Sequence, residues 1–436
     1  MNVGVIGTGH VGLPTAATLA HIGHDVSATD ADREKIELLR GGAMPFFEPG
    51  LDELVRSGLD SGLLRFTPDP PEALRDARVA FLCVGTPPRS SGEANLIAIE
   101  QSADLVGRHA AGPTVVVEKS TVPAGTAARV TEILGRHRTD GALSVVCNPE
   151  FLREGSAVED SLRPDRILVG SDSEEALAVM RELYAPLVGE GTEWIETDLH
   201  TAELAKHASN AFLALKVSFA NALARIAEAA GADVEAITDV MGADPRIGGA
   251  HLSAGLGYGG SCFPKDLLAF ERLAGRLGYD FPLLREVARI NEEALQAAFR
   301  KVEQALWNLE GKRVALLGLA FKPGTDDVRY SPALGLADRL LAAGAVVVGY
   351  DPEAGANAKA EIPGLEVVDD PYAALSGADA AVVCTEWDEI TGLDLAQVRE
   401  VMARPVVVDG RNVFDPVAMA GHGFTYLPTG RPPVRP

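Results

Sequence analysis

The chain is poor in cysteine, in positive charge and in long apolar runs, and each shortage excludes a class of protein. Its four cysteines are spread over 436 residues with no C-x-x-C spacing, so neither a disulfide framework nor a zinc site is expected. Lys and Arg number 39 against 62 Asp and Glu, and the net charge of −23 disfavours nucleic acid and anionic membranes as partners. No apolar stretch reaches the ~18 residues of a membrane helix. The scattered cysteines fit a reducing, cytoplasmic location. A strand-like run begins at residue 2, so we expect no signal peptide.

What is present is the composition of a globular protein, with a length that suggests about three domains. Apolar residues make up 47% and charged residues 23% of the chain. In the N-terminal part, short apolar runs alternate with helical stretches, which predicts βαβ units and a parallel sheet. The alternation returns from Lys312, where RVALLGLA and AVVVGYDPE parallel the earlier NVGVIGTG and DVSATDADR. The last residues, 428–436, are expected to form a frayed extended end.

The middle of the chain is different, because His200–Ala230 contains neither Gly nor Pro and is rich in Ala and Leu. This composition predicts one long helix with Gly231 at its C-terminal cap. Helical segments continue to about Asn308, and no strands are expected among them. The predicted fold is therefore α/β, with two Rossmann-like parallel-sheet domains joined by a central helical domain that contains one long helix. We place the three domains at residues 1–199, 200–310 and 311–436.

A glycine-rich turn follows the first predicted strand and opens a helix, which is the context that a dinucleotide-binding fingerprint needs. Its G-x-G-x-x-G residues are Gly7, Thr8, Gly9, His10, Val11 and Gly12. Such glycines permit a tight turn and close approach to a pyrophosphate at the helix N-terminus. Asp30, 18 residues beyond Gly12, would accept hydrogen bonds from ribose hydroxyls, which favours NAD over NADP. Lys35 weakens that choice, because a nearby cation could hold a 2′-phosphate. The alternative is a glycine turn that binds no dinucleotide.

A second glycine-rich segment, Gly255–Gly260, lies just before Cys262. Pro264 suits the first turn of a following helix, so the thiol would lie at a helix N-terminus near Lys265, which favours a reactive thiolate. Asp266, four residues beyond the cysteine, could act on a water beside the sulfur. The alternative is a buried, inert cysteine. The other three cysteines lie in apolar strands and are predicted to be of that inert kind: Cys83, Cys147 and Cys384.

Lys206 and Asn210 share one face of the predicted long helix with Leu213 and Val217. Burying an unpaired Lys is costly, so a Lys and an Asn at the head of an apolar stripe need an explanation. Either the two side chains point into a site, or this end of the helix is solvated. The periodicity leaves both interpretations open.

Polar side chains also follow other predicted strands, where open α/β sheets bind ligands. Thr121 could donate a hydrogen bond there, and Glu150 and Glu154 could act as a base or an orienting group. Ordinary loop polarity is the alternative. The second α/β domain lacks the glycine fingerprint and carries Lys322 and Arg329, which suit a different phosphate ligand.

With these motifs in view, the sequence resembles the UDP-glucose/GDP-mannose dehydrogenase family over almost its whole length. The motifs are GTGHVG, FFEPGLDEL, CVGTP, EKSTVPAGT, NPEFLREGSA, ELAKHASNAFLALKVSFANAL, GYGGSCFPKD, FKPGTDDVRYSP and DGRN. The resemblance implies oxidation of C6 of a nucleotide-linked hexose from alcohol to acid, with NAD as the cofactor. The NPEFLREGSA and GYGGSCFPKD motifs resemble the branch that converts UDP-glucose to UDP-glucuronate more than the GDP-mannose and N-acetylhexosamine branches. His10 departs from the Tyr that is common at its position.

The resemblance also implies roles for individual residues, with a thiohemiacetal and then a thioester formed on Cys262. The implied catalytic residues are Cys262, Lys206, Asp266, Asn210, Thr121 and Glu154. The implied cofactor-binding residues are Gly7, Thr8, Gly9, His10, Val11, Gly12, Asp30, Lys35, Val84, Gly85, Thr86, Pro87, Ser120, Thr121, Val122, Glu154 and Arg329. The implied substrate-binding residues are Glu150, Phe151, Leu152, Arg153, Glu154, Lys206, Asn210, Arg246, Ser253, Gly255, Tyr258, Gly259, Lys322 and Arg411. No metal is expected.

For the three domains, the resemblance implies NAD binding, dimerisation together with the cysteine loop, and binding of the UDP part of the substrate, in chain order. The implied partners are UDP-glucose and a second copy of the chain, in which Arg246 reaches the substrate of the neighbouring subunit. Two other interpretations stay open. One is a two-electron dehydrogenase of hydroxy acids, which also combines a Rossmann domain with a helix carrying Lys and Asn. The other is an NAD-binding sensor without turnover.

Overall fold

Strands and helices alternate at both ends of the chain, and the middle is helical. The computed structural model describes residues 1–189 and 191–435. The strands are β1 (Asn2–Ile6), β2 (Asp25–Thr29), β3 (Leu64–Phe66), β4 (Val79–Leu82), β5 (Thr114–Glu118), β6 (Leu143–Cys147), β7 (Arg166–Gly170), β8 (Glu193–Thr197), β9 (Arg313–Leu317), β10 (Val346–Tyr350), β11 (Glu366–Val368), β12 (Ala380–Val383), β13 (Val406–Asp409) and β14 (Thr425–Pro428). The helices are α1 (Gly12–His21), α2 (Arg33–Arg40), α3 (Leu51–Asp60), α4 (Pro70–Leu74), α5 (Ile97–His109), α6 (Thr126–Gly135), α7 (Ala157–Leu162), α8 (Glu174–Tyr184), α9 (Leu199–Ala230), α10 (Val234–Gly242), α11 (Phe263–Arg276), α12 (Pro282–Leu306), α13 (Pro332–Ala342), α14 (Gly355–Glu361), α15 (Pro371–Leu375), α16 (Asp388–Thr391), α17 (Leu395–Val401) and α18 (Pro416–Gly421).

Within the described chain, eight strands form the first sheet in the order β3-β2-β1-β4-β5-β6-β7-β8. Its strands run parallel except for the antiparallel pair β6 and β7. Inner strands such as β4 are buried along their whole length, because helices cover both faces of the sheet. The strand order reverses between β1 and β4, and the carboxyl ends of strands at such a reversal border the crevice where doubly wound sheets bind ligands.

The second sheet contains β11-β10-β9-β12-β13-β14, in that order and all parallel, among the residues that the structure describes. The six strands of this sheet have the same order as β1 to β6 of the first sheet, with the first strand of each unit at the reversal point. The core of the second sheet contains Leu316, Val382 and Tyr426, each with almost no exposed surface.

The predicted long helix is confirmed as α9, which has 32 residues. It ends before Gly231, whose φ of 71° is the left-handed conformation that a C-terminal cap requires. In the described residues 199–308 no strand occurs, as the sequence predicts. Pro264 lies in the first turn of α11, where its missing N–H leaves no hydrogen bond unmade.

By their contacts, the residues divide into two compact units, which meet in sequence inside α9. The first contains Met1–Ser209 and Leu268–Gly278, and the second contains Asn210–Leu267 and Tyr279–Pro436. The first unit holds the sheet β1 to β8, and the second holds the sheet β9 to β14. Each unit thus has its own sheet and its own set of candidate functional residues.

The predicted fold class is confirmed: the chain forms two Rossmann-like sheets, and the segment between them in the sequence is helical. The prediction of a frayed end at 428–436 is wrong for the residues up to Val434, and Pro436 lies outside the described residues. The backbone of Val434 pairs with Tyr426, and Arg431 forms ion pairs with Asp233 at 3.1 Å and Glu235 at 2.6 Å. No helix of the described residues is long and apolar enough to cross a bilayer.

Candidate active site

The glycine turn after β1 has the geometry that its sequence predicts. Gly7 has a φ of 95°, and a Cβ added there would collide with the carbonyl of Cys83. A Cβ on Gly12 would collide with the Gly7 carbonyl oxygen, so the close contact of turn and helix requires glycine at both positions. A Cβ on Gly9 would meet nothing within 4 Å. The turn therefore leaves open space beside Gly9, where a pyrophosphate can approach the N-terminus of α1.

Asp30, at the end of β2, completes this part of the site. Its Oδ2 accepts hydrogen bonds from the Thr8 N–H at 2.8 Å and the Lys35 ammonium at 3.2 Å, while Oδ1 accepts the Asp32 N–H at 3.0 Å. Burial alone would raise the pKa of Asp30, but these bonds and the Lys35 charge bring it below its ordinary value. The ionised carboxylate suits ribose hydroxyls. Because Lys35 is engaged by Asp30, the residues fit NAD better than a 2′-phosphate.

The loops after β4 and β5 are joined by two side-chain hydrogen bonds. Ser120 Oγ donates to the Val84 carbonyl at 2.7 Å, and Thr86 Oγ1 donates to the Thr121 carbonyl at 2.9 Å. The predicted cofactor-binding loops of the first unit, CVGTP and EKSTVP, are therefore brought together at the carboxyl ends of adjacent strands. His10 packs against Phe46, with ring centroids 4.1 Å apart.

Lys206 on α9 is buried and paired, so the solvated alternative for this end of the helix is wrong. Its Nζ lies 3.0 Å from Glu150 Oε1, and the two side chains are 4% and 5% exposed. The ammonium also lies over the Phe151 ring, 5.2 Å from its centroid. Glu150 in turn accepts the N–H of Leu152 at 2.6 Å, which fixes the loop after β6. A buried, paired cation is therefore aimed at the carboxyl edge of the first sheet.

The other predicted residues of the loop after β6 differ in burial and in their partners. Glu154 is half-buried. Arg153 is exposed and forms an ion pair with Asp160 at 2.6 Å. Glu48, to which the sequence analysis assigns no role, holds the loop: it is buried and accepts the N–H groups of Gly155 and Ala157, each at 2.7 Å. Its motif, FFEPGLDEL, was the only signal in the sequence.

In the second unit, Cys262 immediately precedes α11 and is partly exposed, whereas the other three cysteines are buried. Its Sγ lies 3.7 Å from Ser261 Oγ. Burial raises the pKa of Cys83 and Cys384 to about 12 and that of Cys147 well above its ordinary value, so those thiols stay protonated. The burial predicted for them is confirmed. Cys262 alone among the cysteines combines exposure with a helix N-terminus.

A buried carboxylate lies one turn beyond this thiol. Asp266 has no exposed surface, and its N–H donates to the Cys262 carbonyl at 2.9 Å. Asn210 Nδ2 donates to its Oδ2 at 2.6 Å, and the Lys265 ammonium donates to its Oδ1 at 2.6 Å. The amide therefore orients the carboxylate, and the ammonium keeps its charge compensated. Asn210 follows Lys206 by about one turn of α9.

The glycine-rich loop before the thiol is held by two asparagines to which the sequence analysis assigns no role. Asn221 accepts the Gly255 N–H at 2.8 Å, and Asn291 bridges both backbone groups of Tyr258 at 2.7 and 3.0 Å. A Cβ on Gly259 would collide with the Tyr330 carbonyl. These contacts explain why glycine and polar helix residues occur together, but an isolated Asn on a helix carries no signal in the sequence.

The predicted substrate residues of the second sheet lie near its carboxyl edge. Arg411 donates from Nε to the Cys384 carbonyl at 2.8 Å and from a terminal nitrogen to the Phe321 carbonyl at 3.3 Å. Lys322 Nζ lies 5.6 Å from the centroid of the Phe321 ring. Arg411 thus contacts the backbone of Phe321, and Lys322 lies near the ring of the same residue.

Of the other three predicted residues of the second unit, Arg329 contacts the glycine-rich loop before the thiol. Arg329 pairs with Asp327 at 2.6 Å, and its carbonyl accepts the N–H of Gly260 at 3.0 Å. Arg246 is 88% exposed and pairs with Asp244. Ser253 is exposed. The exposure of Arg246 fits the role predicted for it across a subunit interface.

Comparison with known proteins covers the whole chain. Residues 1–188, 200–293 and 315–416 match the NAD binding, central and UDP binding domains of the UDP-glucose/GDP-mannose dehydrogenase family. UDP-glucose 6-dehydrogenase YwqF of Bacillus subtilis is 42% identical, over 100% of this chain and 99% of that protein. UDP-glucose 6-dehydrogenase of Pseudomonas aeruginosa is 44% identical, over 99% and 98%. The structure of a UDP-glucose dehydrogenase from Pyrobaculum islandicum is 40% identical with a TM-score of 0.91, over 98% of this chain and 96% of that one.

The fold and the glycine turn define an NAD-dependent oxidoreductase. The chain belongs to the UDP-glucose/GDP-mannose dehydrogenase family, and the resemblance seen in its motifs is confirmed.

Proposed function

We propose that this protein oxidises UDP-glucose to UDP-glucuronate in two NAD-dependent steps. The observation that carries the proposal is the partly exposed Cys262 at the start of α11, one turn from the buried Asp266 carboxylate. A dehydrogenase that transfers one hydride has no use for such a thiol. A four-electron oxidation does, because the thiol keeps the intermediate aldehyde bound between its two oxidations.

The Gly7–Gly12 turn and Asp30 would hold NAD, which would supply the acceptor for the hydride that leaves C6 in each oxidation. In the first, Thr121 and Glu154 hold a water and assist removal of the proton from the C6 hydroxyl. The Lys206 ammonium stabilises the negative charge that develops on the C6 oxygen, an effect that is strong in a buried site. Its pairing with Glu150 supports this role, since the ion pair holds the ammonium in a fixed position.

The second stage is covalent. The Cys262 sulfur adds to the aldehyde carbon, forming a C–S bond, and the carbonyl oxygen takes up a proton to give a thiohemiacetal. Loss of the second hydride and of that proton leaves a thioester. Water then adds to the thioester carbon, the C–S bond breaks, and the products are the carboxylic acid and the free thiol. Asp266 takes the proton of the water, and Asn210 holds the carboxylate in place.

For the substrate, we assign the diphosphate to Lys322 and Arg411 and the sugar to residues 150–154 and to Ser253, Gly255, Tyr258 and Gly259. Local cations are needed for a diphosphate because the net charge of the chain is −23. The proposed division of labour is NAD binding by 1–199, dimerisation and the cysteine loop in 200–310, and UDP binding by 311–436. All four cysteines are thiols and not disulfides, which agrees with the cytoplasmic location that we also propose.

We further propose that the chain is a homodimer built on α9. Three large apolar side chains, Phe212, Phe219 and Ile226, recur every seven residues on this helix and are 62%, 48% and 64% exposed. A stripe of this spacing lies on one face and favours burial against a partner helix. Light scattering after gel filtration is expected to give twice the chain mass, and Phe219→Glu is expected to give the monomer.

The experiment that tests the function is NADH release with stoichiometry, using UDP-glucose, GDP-mannose, UDP-N-acetylglucosamine and UDP-N-acetylmannosamine. We expect about two NADH per UDP-glucose and little from the others. Two NADH from another sugar would keep the mechanism and overturn the substrate. One NADH from UDP-glucose would point to a simple dehydrogenase. Binding of NAD without any NADH would favour a sensor.

Replacing the thiol tests the covalent stage directly. For Cys262→Ser we expect overall turnover to fall by a factor on the order of a thousand, because a hydroxyl is a far weaker nucleophile, with UDP-glucose affinity retained. Cys384→Ser, at a buried cysteine, is the matched control and is expected to keep turnover. Full activity in the first variant would contradict the thioester.

A further inference from the structure

A carboxyl group that the proposed mechanism does not use is sealed inside the first unit. Glu118 ends β5, between β4 and β6, and has no exposed surface. Among the described residues, no N–H or O–H donor reaches either of its carboxyl oxygens. A buried carboxylate without donors is strongly destabilising, whereas a neutral carboxylic acid in the same place is not. The two states also differ in that only the neutral acid can donate a hydrogen bond.

An acceptor for that hydrogen bond is present on α9. Glu203 is buried as well, and its two oxygens accept the N–H groups of Gly125 and Ala127, each at 2.7 Å. Burial raises the pKa of Glu203, and these two hydrogen bonds oppose the rise. For Glu118, burial and then the charge of Glu203 raise the pKa well above the ordinary value, with nothing to oppose them. The donors therefore place the negative charge on Glu203.

We infer that Glu118 is a neutral acid that donates its proton to the Glu203 carboxylate, and that this pair is a positioning device which fixes the loop carrying Thr121 to α9. Two facing carboxylates in a dry site cannot both be ionised, and the single shared proton makes their contact attractive. The inference rests on the proposed function only in that Thr121 and Lys206 act on the substrate.

The pair acts on the site through short connections. Glu203 lies on the same turn of α9 as Lys206, and the N–H groups it accepts begin α6, directly after the Thr121 loop. One turn further along α9, the buried His207 makes a hydrogen bond of 2.9 Å to the carbonyl of Val122. Ionising Glu118 would set two like charges between β5 and α9, and would push the loop and the helix apart.

The other charged or titratable groups around the pair do not supply the missing proton. Cys147, opposite Glu118 on β6, has a pKa raised well above its ordinary value by burial, so it stays neutral. The Lys119 ammonium, next along the chain, is directed to Asn148 at 3.0 Å. His200 lies 3.5 Å from Glu203 and is mostly exposed. Protonated His200 would strengthen the charge on Glu203, which leaves the proton on Glu118.

Two variants of Glu118 separate the neutral acid from the ionised one. Glu118→Gln keeps a neutral hydrogen-bond donor of the same shape, while Glu118→Met keeps the length and removes the donor. We expect kcat of the Gln variant to stay within about threefold of wild type and that of the Met variant to fall about tenfold or more, with little change in the KM for NAD. Glu132→Gln, at an exposed residue of α6, is the matched control. Equal kcat in the Gln and Met variants would overturn the positioning role.

Two further readouts do not depend on turnover, so they test the pair even if UDP-glucose is not a substrate. Infrared spectra of the wild type at neutral pH are expected to contain the C=O band of a neutral carboxylic acid, and Glu118→Gln to lack it. Stability is the second readout. A native pKa above the unfolded value means that the native state holds the extra proton, so stability falls as pH rises between the two values. The folding equilibrium constant of the wild type, divided by that of Glu118→Gln, should fall by up to about tenfold per pH unit above about pH 5. A missing band, or parallel pH profiles, would overturn the proton assignment.

Discussion

The two sheets of this protein begin with nearly the same turn, and the residues that follow give each turn a different use. Each turn starts with a glycine at positive φ, 95° for Gly7 and 90° for Gly318. The next backbone N–H in each turn donates to an aspartate at the end of the neighbouring strand, at 2.8 Å to Asp30 and at 2.7 Å to Asp351. The first glycine and its neighbouring aspartate are therefore arranged in the same way in both sheets.

After the first glycine the two turns diverge. In the first sheet α1 begins at Gly12, whereas in the second α13 begins only at Pro332, so that residues 321–331 separate the turn from the helix. Gly9 borders open space, while Ala320, at the equivalent position, is almost fully buried. The first turn therefore presents free N–H groups to a pyrophosphate, and the second has no room for one.

The two aspartates also differ in how accessible they are to a ligand. The Asp351 carboxylate is buried and receives five donors: the N–H groups of Leu319, Ala320, Glu353 and Ala354 and the indole of Trp387. On Asp30, Oδ2 receives three donors, which are the N–H and hydroxyl of Thr8 and the Lys35 ammonium, whereas Oδ1 receives a single backbone N–H; the side chain is 14% exposed. One aspartate is thus part of the protein's own framework, and the other keeps an oxygen for a ligand. A second donor to Oδ1 and deeper burial, and not the position in the fold, distinguish the structural carboxylate Asp351 from Asp30.

The largest effect should come from closing the open space of the first turn. Gly9→Val is expected to weaken NAD binding by about a hundredfold or more, because the side chain fills the approach of the pyrophosphate. The melting temperature should change little, since nothing lies within 4 Å of an added Cβ. Isothermal titration with NAD and a thermal melt measure the two quantities.

The matched control is Gly112→Val, at another glycine whose added Cβ would meet nothing within 4 Å and which lies before β5. It should leave NAD affinity unchanged. Ala320→Gly, which gives the second turn the first turn's glycine, should create no NAD site, because the helix still begins at Pro332. Unchanged NAD affinity in Gly9→Val would mean that the cofactor lies elsewhere.

The next effect concerns the framework aspartate. Asp351→Asn puts an amide nitrogen where one oxygen accepts several N–H groups, and it leaves buried donors unpaired. We expect a loss of about 3 kcal/mol in the free energy of unfolding, with NAD affinity unchanged. Urea denaturation measures the first quantity and titration the second. A variant as stable as the wild type would show that the five donors hold no strong interaction.

How far the sequence predicts this structure depends on the range of the interactions concerned. The turn at Gly7–Gly12, the helix α9 and the placement of Cys262 before α11 follow from local patterns, and the structure contains all three. The strands β3 and β11 have only three residues each, too few for a pattern, and the exposed edge strand β8 lacks apolar alternation.

The site is predicted less completely, because much of it depends on contacts between distant parts of the chain. Glu48 holds a loop 107 residues away, and Glu203 holds one 76 residues away. No local pattern marks either residue. The burial of Lys206 also depends on a distant contact. Helical periodicity does not show whether this end of α9 is buried or solvated. Its partner Glu150, 56 residues earlier in the chain, shows that it is buried.

The smallest effect is expected at the ligand-binding aspartate. Asp30→Asn should weaken NAD binding about tenfold at neutral pH, because a neutral amide accepts the ribose hydroxyls less well and loses the Lys35 pair. It should also narrow the preference for NAD over NADP, since the charge that repels a 2′-phosphate is gone. Asp52→Asn, which breaks an exposed ion pair with Arg56 on α3, is the control and should change neither.

Stability against pH gives a second test of the same residue. The pKa of Asp30 is lowered in the folded protein, so its ionised form stabilises the fold above the unfolded value of about 4. That contribution is lost as the pH falls through the lower, folded value. The stability of the wild type relative to Asp30→Asn should therefore be constant from about pH 5 to about pH 8 and should shrink below about pH 4. A difference that grows on acidification would mean that Asp30 is protonated in the native turn, and then its carboxylate would be no more available to a ribose than that of Asp351.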